Sequence, residues 1–248
     1  MGHVMKDRAL HPSGRGASGV APSEASASGP RFARTTRAGV EGPGSTARCL
    51  TRRDAFVKRV FDVFAAGAGL LVVGWLILLG AAVSALAHGG SGFFVQRRVG
   101  RHGRTFPLIK LMTMVCGSDP TISVTTRNDP RITATGRVLQ RTKLDELPQL
   151  VNVLVGHMSM VGPRPDVPGF ADRLMGQDRI VLCVRPGITG PATLAYRDEE
   201  SLLAAQSDPE RYNREVVFPD RVHINREYIE TYTFWLDLIY IWRTVLAR

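Results

Sequence analysis

With 248 residues, 44% of them apolar, the chain is long enough for one substantial folded domain or two small ones. A formal net charge of +10 suits an anionic partner, whether nucleic acid, anionic lipid or a phosphorylated substrate, and charge alone does not choose among these. The three cysteines, Cys49, Cys116 and Cys183, form no CxxC pair and are expected to be reduced thiols in a cytosolic setting.

Residues 1–52 are rich in Gly, Ser, Ala, Arg and Pro and poor in large apolar side chains. Such a stretch cannot bury enough surface to offset its ordering entropy, so it is expected to be a disordered basic tail. It holds no apolar core of the kind a secretory signal needs. From Val63 to Ala87 no residue is charged, and the length matches an apolar helix that enters a bilayer. A membrane-inserted helix is therefore expected within 53–90. Basic residues flank both ends: Arg52, Arg53, Lys58 and Arg59 before it, Arg97, Arg98, Arg101, Arg104 and Lys110 after it. Positive charge favours the cytoplasmic side, so both flanks stay inside only if the segment dips in and returns. Re-entry needs a break, and the midpoint offers Gly74-Trp75 but no proline.

The remainder, 91–248, is expected to be a cytosolic domain at the membrane surface. Phe93–Val99 and Thr105–Met112, separated by glycines, predict a β-hairpin. Residues 117–129 are polar and turn-rich and predict a loop. Leu147, Leu150, Val151 and Leu154 recur at helical spacing, with Pro148 marking a start or a bend. Asp145 and Glu146 then stand near the N-terminal end of that helix, where exposed N–H groups favour negative charge. An ionised carboxylate there is a usable nucleophile or Mg2+ ligand, and it also fits an ordinary helix cap. Arg164 lies between Pro163 and Pro165, which pre-order its guanidinium for a phosphate. His157 reads as structural or solvated. Arg185 sits in a turn ahead of Pro186-Gly187, and Arg197–Glu200 opens a helix. Tyr228 to Leu246 is rich in aromatics and fits an interfacial amphipathic helix or an aromatic core face equally well. No Walker loop, GxSxG element, His/Cys metal cluster or nucleic-acid reader motif appears, so no nucleic-acid partner is expected.

The order of these motifs resembles the bacterial sugar transferases that act as monotopic polyprenyl-phosphate phosphoglycosyl transferases, in their short form. The matching segments include Lys58–Asp62, Gln96–Gly100, Arg131–Thr133, Leu144–Leu150, Asn152–Leu154, Val161–Pro165, Arg185–Gly190 and Phe218–Asp237. The resemblance covers everything except the N-terminal tail. It implies an α+β, mainly helical fold: a membrane-inserted re-entrant helix, a small hairpin and a helical catalytic domain with interfacial helices. It implies transfer of a phospho-sugar from a UDP-sugar to undecaprenyl phosphate with release of UMP, at the start of capsule, exopolysaccharide or O-antigen synthesis. By this resemblance Asp145 is the nucleophile, and Glu146 supports Mg2+ or proton handling. Arg164 holds phosphate, and Lys110 and Arg137 are secondary anionic contacts. Arg141 and Arg185 are further basic candidates, and Asp237 is the acidic residue of the C-terminal motif. The expected place is the cytoplasmic face of the inner membrane, against anionic lipid, with a homodimer allowed for. A catalytically weak scaffold of a glycan assembly complex is the alternative. The chain departs from the family at Gly74-Trp75, where a Ser-Pro break is usual, and at Met112 and Gln140, where arginine is common.

Overall fold

The computed structural model describes residues 48–114 and 131–246. The expected tail and the loop at 117–129, with Cys116, lie outside the described residues, apart from the last five residues of the tail.

Helix α1 runs from Arg52 to His88, capped by the Thr51 hydroxyl, which accepts from the Asp54 N–H at 3.1 Å. It starts eleven residues before the uncharged run. It also passes through Gly74 and Trp75 without interruption, so the expected break is not found there. Glycine costs a helix only about 1 kcal/mol and, unlike proline, leaves every backbone donor in place. Buried positions recur along α1 at Lys58, Asp62, Ala66, Ile77, Ala81 and Ser84. One stripe of the helix is thus packed against the rest of the protein along most of its length. The opposite side exposes Phe64, Leu71, Val72, Trp75, Leu78, Leu79 and Leu86.

Strands β1 (Phe93–Val99) and β2 (Thr105–Leu111) form the expected antiparallel hairpin, with Phe94 opposite Lys110 and Arg98 opposite Phe106. Helix α2 (Ala134–Arg141) is capped by Thr133. A single 3-10 turn, Leu144–Glu146, leads into α3 (Gln149–Val155), whose first turn is entered through Pro148. The buried Asn152 side chain docks α3 on the hairpin. Its amide donates to the Pro107 carbonyl at 2.7 Å, and its oxygen accepts from the Ile109 N–H at 3.0 Å. Phe106, Leu108, Leu150, Val153 and Met158 close the core between α1, the hairpin and α3, and His157 packs its ring 5.5 Å from Phe106.

The segment after α3 builds a parallel pair that periodicity does not reveal: β3 (Ser159–Val161) beside β4 (Gly187–Thr189). A Cβ on Gly187 would collide with the Gly162 backbone, which is why the close approach takes glycines. Short helices α4 (Pro191–Ala195), α5 (Glu199–Ala204) and α6 (Pro209–Tyr212) follow, then α7 (Phe218–Glu230) and α8 (Phe234–Leu246). The expected aromatic helix is therefore two helices. Tyr228, Tyr232 and Tyr240 pack inward around one another, as the aromatic-core reading expects, whereas Trp235 and Trp242 are 72% and 63% exposed.

The expectation of three free thiols is corrected: Cys49 and Cys183 form a disulfide across 134 residues of sequence. Sequence spacing could not show this, because only the fold brings the segment before α1 against the 3-10 segment Gly176–Leu182.

Candidate active site

Lys143 takes a left-handed backbone at φ 57° and turns the chain sharply into Leu144–Glu146. A residue with a side chain adopts that region only where its surroundings compel it, at a cost of order 1–2 kcal/mol. The turn delivers Asp145 inward and Glu146 toward the hairpin. Asp145 is only 6% exposed, and its Oδ1 is buried with no hydrogen-bond partner among the described residues. Burial, with the adjacent Glu146, outweighs Lys110 and Lys143 and pushes its pKa up to about 6. Glu146 behaves oppositely. Burial would raise it, but Lys110, Arg164 and Lys143 prevail and hold it near 2. The Lys110 ammonium lies 3.1 Å from Glu146 Oε1. Two neighbouring carboxylates thus titrate far apart, as acid–base and nucleophilic sites require.

The field at this pair comes from cations rather than from a helix end, since α3 is only seven residues long. Arg164 is exposed, and its charge reaches both Glu146 and Arg98. The loop carrying it is pinned on three sides. Val99 N–H donates to the Asp166 carbonyl at 2.9 Å, Gly187 N–H to the Pro163 carbonyl at 2.8 Å, and Arg98 to the Pro165 carbonyl at 3.3 Å. Asp166 in turn accepts from Arg221 at 2.5 Å, and Glu199 from the same buried guanidinium at 3.2 Å. Arg98 is the residue that motif spacing undervalued. It reads as one of several hairpin cations, yet its Nε is buried without a partner among the described residues. Burial and the like charge of Arg164 lower its pKa to about 10. Two guanidiniums held close together mark a place for an anion.

The other sequence candidates separate. Lys110 belongs to the site through Glu146. Arg137 and Arg141 are exposed on α2, adjoining the turn that bears Asp145. Arg185 is elsewhere: its Nε donates to the Gly156 carbonyl at 2.9 Å, while Arg59 donates to the carbonyls of Val153 and Leu154 at 2.6 and 2.8 Å. Both residues cap the C-terminal end of α3, the end opposite Asp145. Asp237 is 1% exposed and bonded to Lys58 at 2.5 Å, Tyr228 at 2.5 Å and Tyr232 at 3.3 Å. It locks α8 to α1 and presents no face to a ligand. Gln140 donates to the Thr113 hydroxyl at 3.0 Å, so that departure from the family pattern is built into local packing. The Ser84 hydroxyl bonds the Met112 backbone carbonyl, which does not depend on the side chain there.

The bacterial sugar transferase family model matches residues 53–248, and the chain belongs to that family. It is 32% identical to the exopolysaccharide production protein ExoY of Rhizobium meliloti, over 77% of this chain and 84% of that protein. It is 36% identical to the UDP-glucose:undecaprenyl-phosphate glucose-1-phosphate transferase of Caulobacter vibrioides, over 76% and 68%. It is 31% identical to the undecaprenyl-phosphate galactose phosphotransferase of Salmonella typhimurium, covering 78% of this chain but only 40% of that longer protein.

Proposed function

We propose that this protein transfers a sugar phosphate from a UDP-sugar to undecaprenyl phosphate through a covalent intermediate on Asp145. The supporting observation is a buried carboxylate whose oxygen has no partner among the described residues, set beside Glu146, Lys110 and Lys143, with the charges of Arg98 and Arg164 reaching Glu146. The Asp145 carboxylate attacks the β-phosphorus of the donor. A phosphorus–oxygen bond to Asp145 forms, the bond to the bridging oxygen breaks, and UMP leaves with the electron pair. An oxygen of the lipid phosphate then attacks the same phosphorus and releases Asp145. A desolvated carboxylate sheds no water shell before attacking, and most of it is ionised above pH 6. Arg164 and Arg98 neutralise the equatorial and leaving oxygens, the main requirement of phosphoryl transfer. Lys110 keeps Glu146 ionised.

The all-oxygen donor set fits Mg2+. Asp145 offers an oxygen with no partner among the described residues and Glu146 a second carboxylate, and Mg2+ takes one or two carboxylates together with substrate phosphates. No cluster of three or more His, Cys, Asp or Glu side chains stands among the described residues, which suits an ion shared with a diphosphate. Bound there, the ion would neutralise diphosphate charge.

The site faces the membrane, in this reading, through α1. A full span would carry the partners of its buried stripe into hydrocarbon, so the helix lies in one leaflet with its exposed side toward lipid. Trp235 and Trp242 extend that apolar surface, on the cytoplasmic side of the inner membrane. Cysteine labelling at residues 53 and 90, in a variant lacking the native cysteines, should report both ends on one side. Labels on opposite sides would establish a span.

The chemistry is tested by incubating the protein with a labelled UDP-sugar, Mg2+ and no acceptor. A phospho-sugar adduct and free UMP are expected, both lost in Asp145→Asn. With undecaprenyl phosphate then added, release of UDP in place of UMP would overturn the reading in favour of ordinary glycosyl transfer. Equal inactivity of wild type and variant with every donor would favour the scaffold.

A further inference from the structure

An open groove of about 500 Å³ lies between α1, the hairpin and the start of α3. Gly74 and Leu78, Phe93 and Ile109, and Pro148 and Val151 line it, and its wall is almost wholly apolar. Its volume is that of a small-molecule site. Two of its walls belong to the segments that build the acidic pair. Pro148 stands one helical turn after Asp145, and β2 carries both Ile109, which lines the groove, and Lys110, the partner of Glu146, whose side chain leaves the other face of the strand. Charge and hydrocarbon therefore meet at the turn that leads from Asp145 into α3. A ligand filling both parts must carry a phosphate at one end and a flexible apolar chain at the other. Gly74 adds no side chain to the groove, and a Cβ there would meet nothing within 4 Å.

We infer that this groove holds the first isoprene units of the acceptor, so that its phosphate is presented to the phosphorylated Asp145. The inference rests on the transferase reading and adds the place where chain and head are read together. Anchoring the tail fixes the head in a near-attack position. It also distinguishes a polyprenyl phosphate from the phosphate of a bilayer phospholipid, whose two acyl chains do not fit one channel.

Gly74→Leu should fill the groove without a clash and with a gain in helix propensity. Gly67→Leu is the control, because its added side chain also meets open space but lies outside the groove. Val151→Phe fills the opposite wall and serves if Gly74→Leu misfolds. Adduct formation from the UDP-sugar without acceptor should be equal in all variants. The KM for undecaprenyl phosphate should rise about tenfold or more in Gly74→Leu and Val151→Phe, and stay unchanged in Gly67→Leu. An unchanged acceptor KM in both groove variants would overturn the inference, as would an equal rise in Gly67→Leu. A diazirine placed near the phosphate end of a polyprenyl phosphate should crosslink to 74–78 or 148–151 in nanodiscs. It should outcompete a diazirine phospholipid for those residues. Equal labelling by both lipids would mark the groove as ordinary bilayer contact. This binding measurement needs no turnover, so it still decides the inference if the donor reaction fails.

Discussion

Asp145 and Asp237 are both nearly sealed from solvent, 6% and 1% exposed, and stand in opposite circumstances. Asp237 has a lysine and two tyrosines around it, within 3.3 Å at the farthest. Asp145 has an oxygen with no partner among the described residues and a pKa raised by burial. A buried charge is tolerated when its lone pairs are satisfied, and is costly otherwise. The satisfied aspartate joins two helices. The unsatisfied one is a reactive group whose cost the fold carries, as functional sites commonly require.

The widest separation between the two should appear on substitution by asparagine. Asp145→Asn should lower turnover by about 10⁴-fold or more while the protein stays folded, read as adduct formation and UMP release. Asp237→Asn should leave the buried Lys58 without its hydrogen-bonded carboxylate, with only the charge of Asp62 still acting on it, and destabilise the fold by about 3 kcal/mol, read by thermal or denaturant unfolding in detergent. If Asp237→Asn lost activity at unchanged stability, the contrast would be broken.

Asp145→Asn should also stabilise the metal-free protein at neutral pH. Its carboxyl titrates at about 6 when folded and near 3.8 when not. Between these values the folded protein binds more protons than the unfolded chain, so stability falls as pH rises through the window and the full cost stands above it. Two pKa units correspond to on the order of 3 kcal/mol. The variant's gain should therefore be present at pH 7.5 and vanish near pH 4. A gain independent of pH would mean that the charge is not its source.

A smaller effect sharpens the division within the site itself. Arg164→Ala should lower kcat/KM by about 1.5–3 kcal/mol in transition-state terms, with no change in unfolding midpoint, because its side chain is exposed. Arg98→Ala should cost a similar amount and also lower the midpoint, since Arg98 holds Gln96 and the Pro165 carbonyl at 2.7 and 3.3 Å. A lowered midpoint with unchanged kcat/KM in Arg98→Ala would show that Arg98 is only a loop anchor.

Much of this was readable in the chain. The hairpin showed in its glycine-bounded alternation, the long helix in its uncharged run, and the acidic pair in its place ahead of Pro148. Those signals are local: backbone propensity and periodicity act over a few residues. What escaped was set at long range. Lys58 read as a membrane flank until Asp237, 179 residues away, became its partner. Arg185 read as a phosphate contact until the end of α3 took its hydrogen bond. Cys49 and Cys183 had no reason to be paired until the fold joined them.

By itself, then, the sequence determined which residue types are present and which short elements they form, since torsional preference and apolar spacing are carried by neighbours in the chain. The tertiary structure alone decided which charges are sealed from water and which stay uncompensated. Desolvation and Coulombic pairing depend on distance in space, and distant segments meet only once the core has closed.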